Sequence, residues 1–352
     1  MIHNKLDSHN NSYNKMPNFQ NVIYRLGIVI LFIGVAYLLS MRSLYVAPDD
    51  ISYIKYFNGD YFYSVSTNWW IQLLEEPLWG KYTLIVGNNI NSETAVRITI
   101  FISSLGFLFF ASKVGNNKSI YILLVFLLSL QLSTQLYFNQ IRQGVALSVF
   151  FFGLMFGFNR SLFFAVIASM IHTSFIVVVF AQIIVILTRD IKHWLFVLTL
   201  LAVFISVFIY VSDINFIDYT YLLGRREFAY GFLGKLNYKF YLIFGPLYIY
   251  AILFMKKYMK SDNDILFWKF VLLFTIIIFI FSFLYEGITR LFYFNYIFIP
   301  LLFTKGFQYR LPKRASLIWL LIIVFFNSYD HLVKGLPKVQ TWFGRWDLII
   351  FG

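Results

Sequence analysis

No cysteine occurs among the 352 residues, which excludes a disulfide framework and any thiolate metal site and leaves the redox compartment unassigned. Charge is also scarce: 13% of the residues are Asp, Glu, Lys or Arg, and the 16 acids are outnumbered by 29 bases. What the chain has in excess is apolar, with 60% hydrophobic residues, 22% aromatic residues and a mean hydropathy of +0.71. A chain this poor in polar groups cannot cover itself with water-facing surface. It reads as an all-α polytopic membrane protein. No metal-ligand cluster and no nucleotide-binding fingerprint is present, so no cofactor and no metal are expected.

Runs suited to crossing roughly 30 Å of hydrocarbon fall at Val22–Met41, Arg97–Ser112, Ser119–Phe138, Gln143–Phe158, His193–Val211, Tyr241–Met255, Ile265–Tyr285, Ile288–Thr304 and Ala315–Tyr329, giving about nine transmembrane helices. Several are short, which suits tilted helices or a thinned bilayer. The polar tail, residues 1–21, precedes a full-length apolar run with no small-residue cleavage pattern behind it, so that run is expected to stay as an anchor. The connections "KVGNNK" (Lys113–Lys118), "FNRS" (Phe158–Ser161), "RDIK" (Arg189–Lys192), "KKYMK" (Lys256–Lys260) and "KGFQYRLPKR" (Lys305–Arg314) are short and basic, which puts them in the cytoplasm. The formal net charge of +13 is then mostly topology, and nucleic acid is not implied.

The run Ser161–Thr188 is too long for one span and too short for two, and "IHTS" (Ile171–Ser174) interrupts it. Both of its flanks are basic and belong inside, so a re-entrant helical hairpin with His172 at its outer tip is expected. Asn68–Asn89, with Glu75, Glu76 and Pro77 in its middle, fits the outer surface; if it spanned, every basic connection downstream would be flipped outside. The chain then divides into a cytoplasmic tail (1–21), a single polytopic domain (22–329) with outer loops 42–96 and 212–240, and an extracytoplasmic tail (330–352). The two halves show no repeat.

This topology gathers the unusual polar groups on the outer face. Arg142 has no charged neighbour between Lys118 and Arg160. It is accompanied by Asp49 and Asp50 in "APDDISYIKYF", Glu75 and Glu76 in "EEPLW", His172, Arg225 and Arg226 in "GRREFAYG", and Glu286 and Arg290 in "YEGITRLFYF". Taken singly, each has an ordinary explanation. Arg142 alone is a snorkelling arginine, and the carboxylates alone are solvated loop. His172 is a buried imidazole satisfied by its own "HTS", and Glu286 with Arg290 is a helical ion pair. Together they suit one chemistry. Arginine's fixed fork matches phosphate oxygens, and several arginines stabilise charge developing on a diphosphate leaving group. A metal-independent displacement of a polyprenyl diphosphate is the natural candidate.

Asn139, Arg142, Gln143 and Ala146 fill an N-x-x-R-Q-x-x-A helix, and His172 and Ser174 fill the H-x-S ending of the next. Asp49, Tyr53 and Phe57 stand in a P-D-x-x-x-Y-x-x-x-F loop, Glu76, Pro77 and Trp79 in E-P-x-[YFW], and Arg290 and Tyr293 in R-x-x-Y-F. In these motifs and their order the sequence resembles the EpsG-like polysaccharide polymerases, and the resemblance runs from about Pro48 to Phe294. It implies a multi-pass catalytic domain of GT-C-like architecture with extracytoplasmic loops, in the bacterial inner membrane. The implied reaction is of the Wzy type used for O-antigen, capsule or exopolysaccharide repeat units: a glycan is moved en bloc from undecaprenyl diphosphate to the non-reducing end of a lipid-linked acceptor. The other implied partners are membrane lipid and a chain-length regulator. In the division of labour expected, Arg142, Arg290 and one of Arg225 or Arg226 hold the diphosphate, supported by Gln143 and Asn139. One of Asp49, Asp50 and His172 takes the acceptor proton. Glu76, Trp79, Tyr53 and Tyr293 contact sugar. The alternatives are an O-antigen ligase, a flippase, which would show mid-membrane ionisable residues and repeats, and a membrane acyltransferase, which does not need a field of arginines.

Overall fold

A computed structural model describes residues 19–42, 44–45, 49–60, 76–115, 140–189, 249–282 and 292–307, and every regular element among them is helical. The first helix, α1 (Phe19–Ser40), coincides with the first apolar run. Val22, Ile23, Leu26, Ile30, Ile33 and Leu38 along it are exposed, and a helix that is apolar on uncovered faces belongs in lipid. Two short helices follow, α2 (Asp50–Asn58) and α3 (Pro77–Gly87), the latter with proline at its first position, where no backbone N–H is needed. They approach so closely that a Cβ on Gly87 would lie 1.9 Å from the Phe57 carbonyl oxygen. α4 (Ser92–Val114) starts on an Asn91 cap that accepts the Glu93 N–H at 2.9 Å and ends with Lys113, so both termini complement the helix dipole. α1 and α4 are long and apolar enough to cross a bilayer, and with the bare apolar surface of α1 they mark a membrane-associated chain.

The run expected as the span Gln143–Phe158 forms a shorter helix, α5 (Ile141–Leu154, 14 residues), about 21 Å long at 1.5 Å per residue. Turns then carry the chain through Gly157, whose φ of +104° is open to glycine without strain. α6 (Ser161–Ile171) and α7 (Phe175–Leu187) form the expected broken pair, with His172–Ser174 at the break. At 11 and 13 residues neither is long enough to span alone. Helical residues 249–255 lead into a 3-10 turn at Lys256–Tyr258, and α8 (Asp262–Ser282) and α9 (Phe292–Phe307) close the described chain. The expected spans Ser119–Phe138, His193–Val211 and Ala315–Tyr329, the loop 212–240 and both tails lie outside the described residues, so the nine-span count and the GT-C-like arrangement rest on the sequence.

α5 packs between α4 and α6, α7 joins α8, and α8 pairs with α9. Their common core is a phenylalanine cluster. Phe107 meets Phe151 at 5.4 Å, Phe270 meets Phe298 at 5.3 Å, and Phe175 meets Phe294 at 5.0 Å between ring centroids. Lipid-facing use alone would leave these rings uncovered; instead they interlock inside the bundle, with edge-on and tilted contacts typical of aromatic pairs.

The two ends of the bundle differ in charge. At one end Lys305 pairs with Asp264 at 2.7 Å, Arg189 with Asp262 at 2.8 Å, and Lys269 donates to the Arg189 carbonyl at 2.7 Å. Asn263 accepts the Phe158 N–H there at 3.3 Å. The described basic residues Lys113, Arg189, Lys269 and Lys305 lie at this end. The start of α5 and the α6–α7 break lie at the other.

Candidate functional site

The site is assembled at the end of the bundle opposite the basic connections, where the start of α5 and the α6–α7 break meet α2 and the residue before α3. Glu76 is its centre. Its backbone is left-handed (φ 56°, ψ 57°), a conformation that costs a non-glycine residue about 1 to 3 kcal/mol, and its side chain is 2% exposed. One carboxylate oxygen, Oε2, pairs with the Arg142 guanidinium. The other, Oε1, accepts the Thr173 backbone N–H at 3.1 Å and the Thr173 hydroxyl at 3.3 Å. A single carboxylate therefore ties the arginine of one helix to the hairpin tip, and those contacts offset the strain of its backbone.

Arg142 is partly exposed, at 17%. Its guanidinium lies 5.3 Å from the Tyr56 ring centroid, a cation–π distance, and it faces the Tyr53 hydroxyl. Burial pushes Tyr53 up to about 12; the charge and hydrogen bond of Arg142 oppose that rise, and the charge of Asp49 reinforces it. Tyr53 thus remains a neutral phenol beside the Arg142 guanidinium. Asp49 caps α2 with its backbone, its carbonyl accepting the Tyr53 N–H at 3.0 Å, and it is exposed.

His172 ends α6. Its Nδ1 accepts the Ser174 backbone N–H at 3.1 Å, lies 2.8 Å from the Ser174 hydroxyl and is 4.0 Å from Glu76 Oε1. The tip is consequently rigid: the Phe175 N–H reaches the His172 carbonyl and the Ile176 N–H the Thr173 carbonyl, both at 3.0 Å. With the Thr173 and Ser174 N–H groups also engaged, four successive donors at the entry to α7, those of residues 173–176, bond within the protein.

The structure brings Tyr53, Glu76, Arg142 and His172 into one connected group, places Asp49 one helical turn before Tyr53, and sets others apart. Asp50, next to Asp49 in sequence, is fully buried; it accepts from Arg42 Nη1 at 2.7 Å and Nη2 at 2.5 Å, and from the Tyr45 N–H at 3.0 Å. Arg97 holds the same corner by donating to the carbonyls of Ser40 and Arg42, each at 2.9 Å. Trp79 is 1% exposed, enclosed by Tyr53, Tyr56, Phe57 and Tyr82 at centroid distances of 5.7 to 6.3 Å. Gln143 is 1% exposed; one residue along from Arg142, it faces about 100° away around α5, into the bundle. Tyr293 lies in the first turn of α9. That helix begins beside the hairpin, since Phe294 packs on Phe175. Asn139, Arg225, Arg226 and Arg290 lie outside the described residues.

Sequence reasoning did not find Arg42, Arg97, Tyr56 or Thr173. Arg42 carried one signal, a lone cation at the end of an apolar run eight residues before an aspartate. Thr173 carried none, because its part in the site is played largely by its backbone.

Geometrically, this is a preorganised cation in a partly dry recess, its charge balanced by one carboxylate, with an exposed carboxylate and an imidazole close by. Such a set can hold an anion and accept a proton. Among the described residues no group of three His, Cys, Asp or Glu side chains is arranged to hold a metal ion. Compared with known protein families, residues 25–341 match the model of the EpsG family. No curated protein and no solved structure matches the chain.

Proposed function

The chain belongs to the EpsG family of Wzy-like polysaccharide polymerases, and from that premise we propose that it elongates a surface polysaccharide by transferring a glycan from undecaprenyl diphosphate to the non-reducing end of a lipid-linked repeat unit. The reaction takes place on the extracytoplasmic face of the bacterial inner membrane. The acceptor hydroxyl attacks the anomeric carbon of the donor, a C–O bond forms as the bond to the diphosphate breaks, and the electron pair leaves with the diphosphate. No metal is required, because arginines carry the leaving group's charge.

The observation that carries this reading is the convergence of Arg142 and His172 on Glu76, with Tyr53 against the guanidinium and Asp49 one helical turn before Tyr53, at the end of the bundle away from Lys305, Lys269 and Arg189. Arg142 already shares its charge with Glu76, so it binds one side of the diphosphate while Arg290 and one of Arg225 and Arg226 supply the remaining positive charge. Glu76 serves as the carboxylate that aims Arg142, a role distinct from the sugar contact expected of it. Trp79 and Tyr53 are the packed wall behind the site. Tyr56, half-buried over the guanidinium, and Tyr293 are the aromatic residues assigned to sugar. Gln143 and Asn139 steady the helix start that carries Arg142, and Asp50 fixes the loop that presents Asp49.

The test is reconstitution. Purified protein is mixed with its undecaprenyl-diphosphate-linked repeat unit in EDTA, and the product is resolved on a gel. A ladder is expected, and it should vanish in Arg142→Ala. Movement of the substrate to the opposite leaflet without a ladder would replace the polymerase with a flippase; transfer to a lipid A core acceptor alone would replace it with a ligase.

A further inference from the structure

At the end of the bundle opposite the candidate site, a cavity of about 370 Å³ opens between the end of α4, the turn from α5 to α6, the start of α8 and the last turn of α9. That volume falls within the range of about 300 to 1,000 Å³ usual for ligand pockets. Two close approaches fix its frame. A Cβ on Gly115, just past α4, would lie 2.8 Å from the Thr304 hydroxyl of α9, so the helix ends that carry Lys113 and Lys305 are packed together. Gly157 turns the chain beside Asn263 of α8, whose Oδ1 accepts the Phe158 N–H at 3.3 Å.

The polar groups of the lining differ in what they offer a ligand. Asp264 has one oxygen on the Lys305 ammonium, at 2.7 Å, and the other on the Ser261 hydroxyl, at 2.5 Å. Both oxygens are engaged, and Lys305 matches their charge. Because a backbone N–H can only donate, the Asn263 amide turns its oxygen to Phe158, and its NH2 group, a double donor, is the part of the side chain available at the cavity wall. Lys113 is exposed, holds its ammonium 5.5 Å from the centroid of the Phe109 ring on its own helix, and makes no ion pair among the described residues. Two lysines against one aspartate leave the lining with a net positive charge. A cation would find the carboxylate occupied, whereas an anion finds an ammonium and an amide donor.

The cavity also has an apolar side. Met155 and Phe156 line it and are exposed. Phe163 and Val166 continue the uncovered apolar surface along α6, and such a face belongs in lipid. A soluble phosphate has no use for that surface, but a phospholipid sets its phosphate at the polar groups and its chains along the apolar ones. An amine-bearing headgroup would bring a further ammonium to a lining already in cationic excess, so the headgroup that fits has none.

We propose that this cavity binds the phosphate of an anionic phospholipid, with Lys113 and the Asn263 amide on the phosphate and Met155 and Phe156 against the acyl chains. Basic pockets between membrane helices suit such headgroups. The lipid joins α4, the α5–α6 turn and α8, and it ties the bundle to the leaflet away from the candidate site. Such a site needs only a bundle in a membrane and does not depend on the polymerase reaction.

The test is lipid retention by the full-length protein in detergent, titrated with phosphatidylglycerol or phosphatidylethanolamine and read by native mass spectrometry. Wild type should hold one phosphatidylglycerol at a concentration about tenfold below that needed for phosphatidylethanolamine, and Lys113→Gln and Asn263→Asp should each erase that margin, the scale of a lost hydrogen bond to a charged group. Asn263→Asp keeps the oxygen that accepts from Phe158 and replaces the NH2 donor with negative charge, so the turn stays capped. Lys257→Gln is the control. Lys257 lies in the turn before α8, over the Phe254 and Tyr258 rings and outside the cavity lining, and its loss should leave the margin unchanged. A second measurement needs no variant: phosphatidylglycerol with a photoreactive group in its acyl chain should label the peptide that contains Met155 and Phe156. The proposal is overturned by equal retention of the two lipids, by a margin that survives Lys113→Gln and Asn263→Asp, by Lys257→Gln reducing it as much as Lys113→Gln does, or by labelling confined to other helices. Glycerol phosphate at the lipid's own concentration should not displace it; displacement would make the occupant a soluble phosphate and overturn the assignment to lipid.

Discussion

If Glu76 is what holds Arg142 and the hairpin tip together, its removal must cost the fold a definite amount, and the amount must depend on which part of the carboxylate is lost. Glu76→Gln keeps an oxygen for the Thr173 N–H but removes the counter-charge of a guanidinium that is 17% exposed. Breaking a buried pair from one side costs about 3 to 5 kcal/mol; water reaches part of Arg142, so the lower end, about 3 kcal/mol, applies. Glu76→Ala also leaves the Thr173 N–H without this acceptor, which adds about 1 to 2 kcal/mol. Glu76→Gly loses the same contacts but relieves the left-handed backbone, recovering about 1 kcal/mol. The order of stability is therefore wild type, Gln, Gly, Ala. The assay is equilibrium unfolding of the micellar protein in SDS, followed by the fluorescence of its eight tryptophans. Arg142→Ala should cost about 2 kcal/mol less in the Glu76→Ala background than in wild type, because contacting partners are not additive. Glu76→Gln within about 0.5 kcal/mol of wild type, or strict additivity of the Glu76 and Arg142 substitutions, would refute Glu76 as the organiser of the site.

Adjacent aspartates should behave oppositely: Asp50→Asn and Arg42→Ala should each destabilise by about 3 to 5 kcal/mol because one strands the other's buried charge, whereas Asp49→Asn should leave the unfolding curve within about 0.5 kcal/mol of wild type, as the same SDS titration will read. Replacing Arg42 and Asp50 together with Met and Leu should restore most of the loss. Raising the pH should destabilise the protein through Tyr53. The unfolded phenol ionises near 10 and the folded one is pushed up to about 12, so the stability present below pH 10 is lost progressively as the pH rises towards 12, by a few kcal/mol, on the order of 1.4 kcal/mol per unit. Tyr53→Phe should flatten that alkaline slope, and an unchanged slope would refute the burial of the hydroxyl. Gly87→Ala should lower the thermal midpoint markedly, since the added methyl meets the Phe57 carbonyl at 1.9 Å; a variant as stable as wild type would mean that α2 and α3 do not close as described.

What the sequence made legible was periodic or punctuated. The apolar run after the polar tail became α1, and the run from Arg97 became α4. The interruption at "IHTS" became the α6–α7 break, because His, Thr and Ser bond locally to backbone groups that a continuous helix would occupy. Pairings across distant segments were not legible. Nothing local to Glu76 says that it will accept from Thr173, 97 residues away, and nothing in "DD" says which aspartate turns inward. That choice follows from Arg42 standing at the end of α1, where one carboxylate can bind both of its terminal nitrogens. Tryptophan at position 79 looked like a sugar platform, but the tight approach of α2 and α3 encloses it. Aromatic richness alone does not distinguish a ring facing ligand from a ring facing its neighbours.

The pairing of Arg142 with Glu76 bears on how an anion is recognised at this depth. A lone guanidinium in a mostly dry recess would be costly to keep charged and poorly oriented, whereas a buried carboxylate fixed by its own backbone and by Thr173 holds it aimed. That carboxylate also sets a threshold. An approaching group must compete with or share a bidentate donor already half engaged, so singly charged anions gain little and a diphosphate, with several oxygens and more than one charge, gains most. Under the proposed function, selection for the diphosphate would rest on this ion pair. The consequence is measurable: Glu76→Gln, which removes the counter-charge and keeps the guanidinium, should bind inorganic phosphate more tightly than wild type while discriminating less between phosphate and pyrophosphate. Titration of both anions against the two proteins would show whether their affinity ratio narrows; an unchanged ratio would mean that selectivity comes from the other arginines alone.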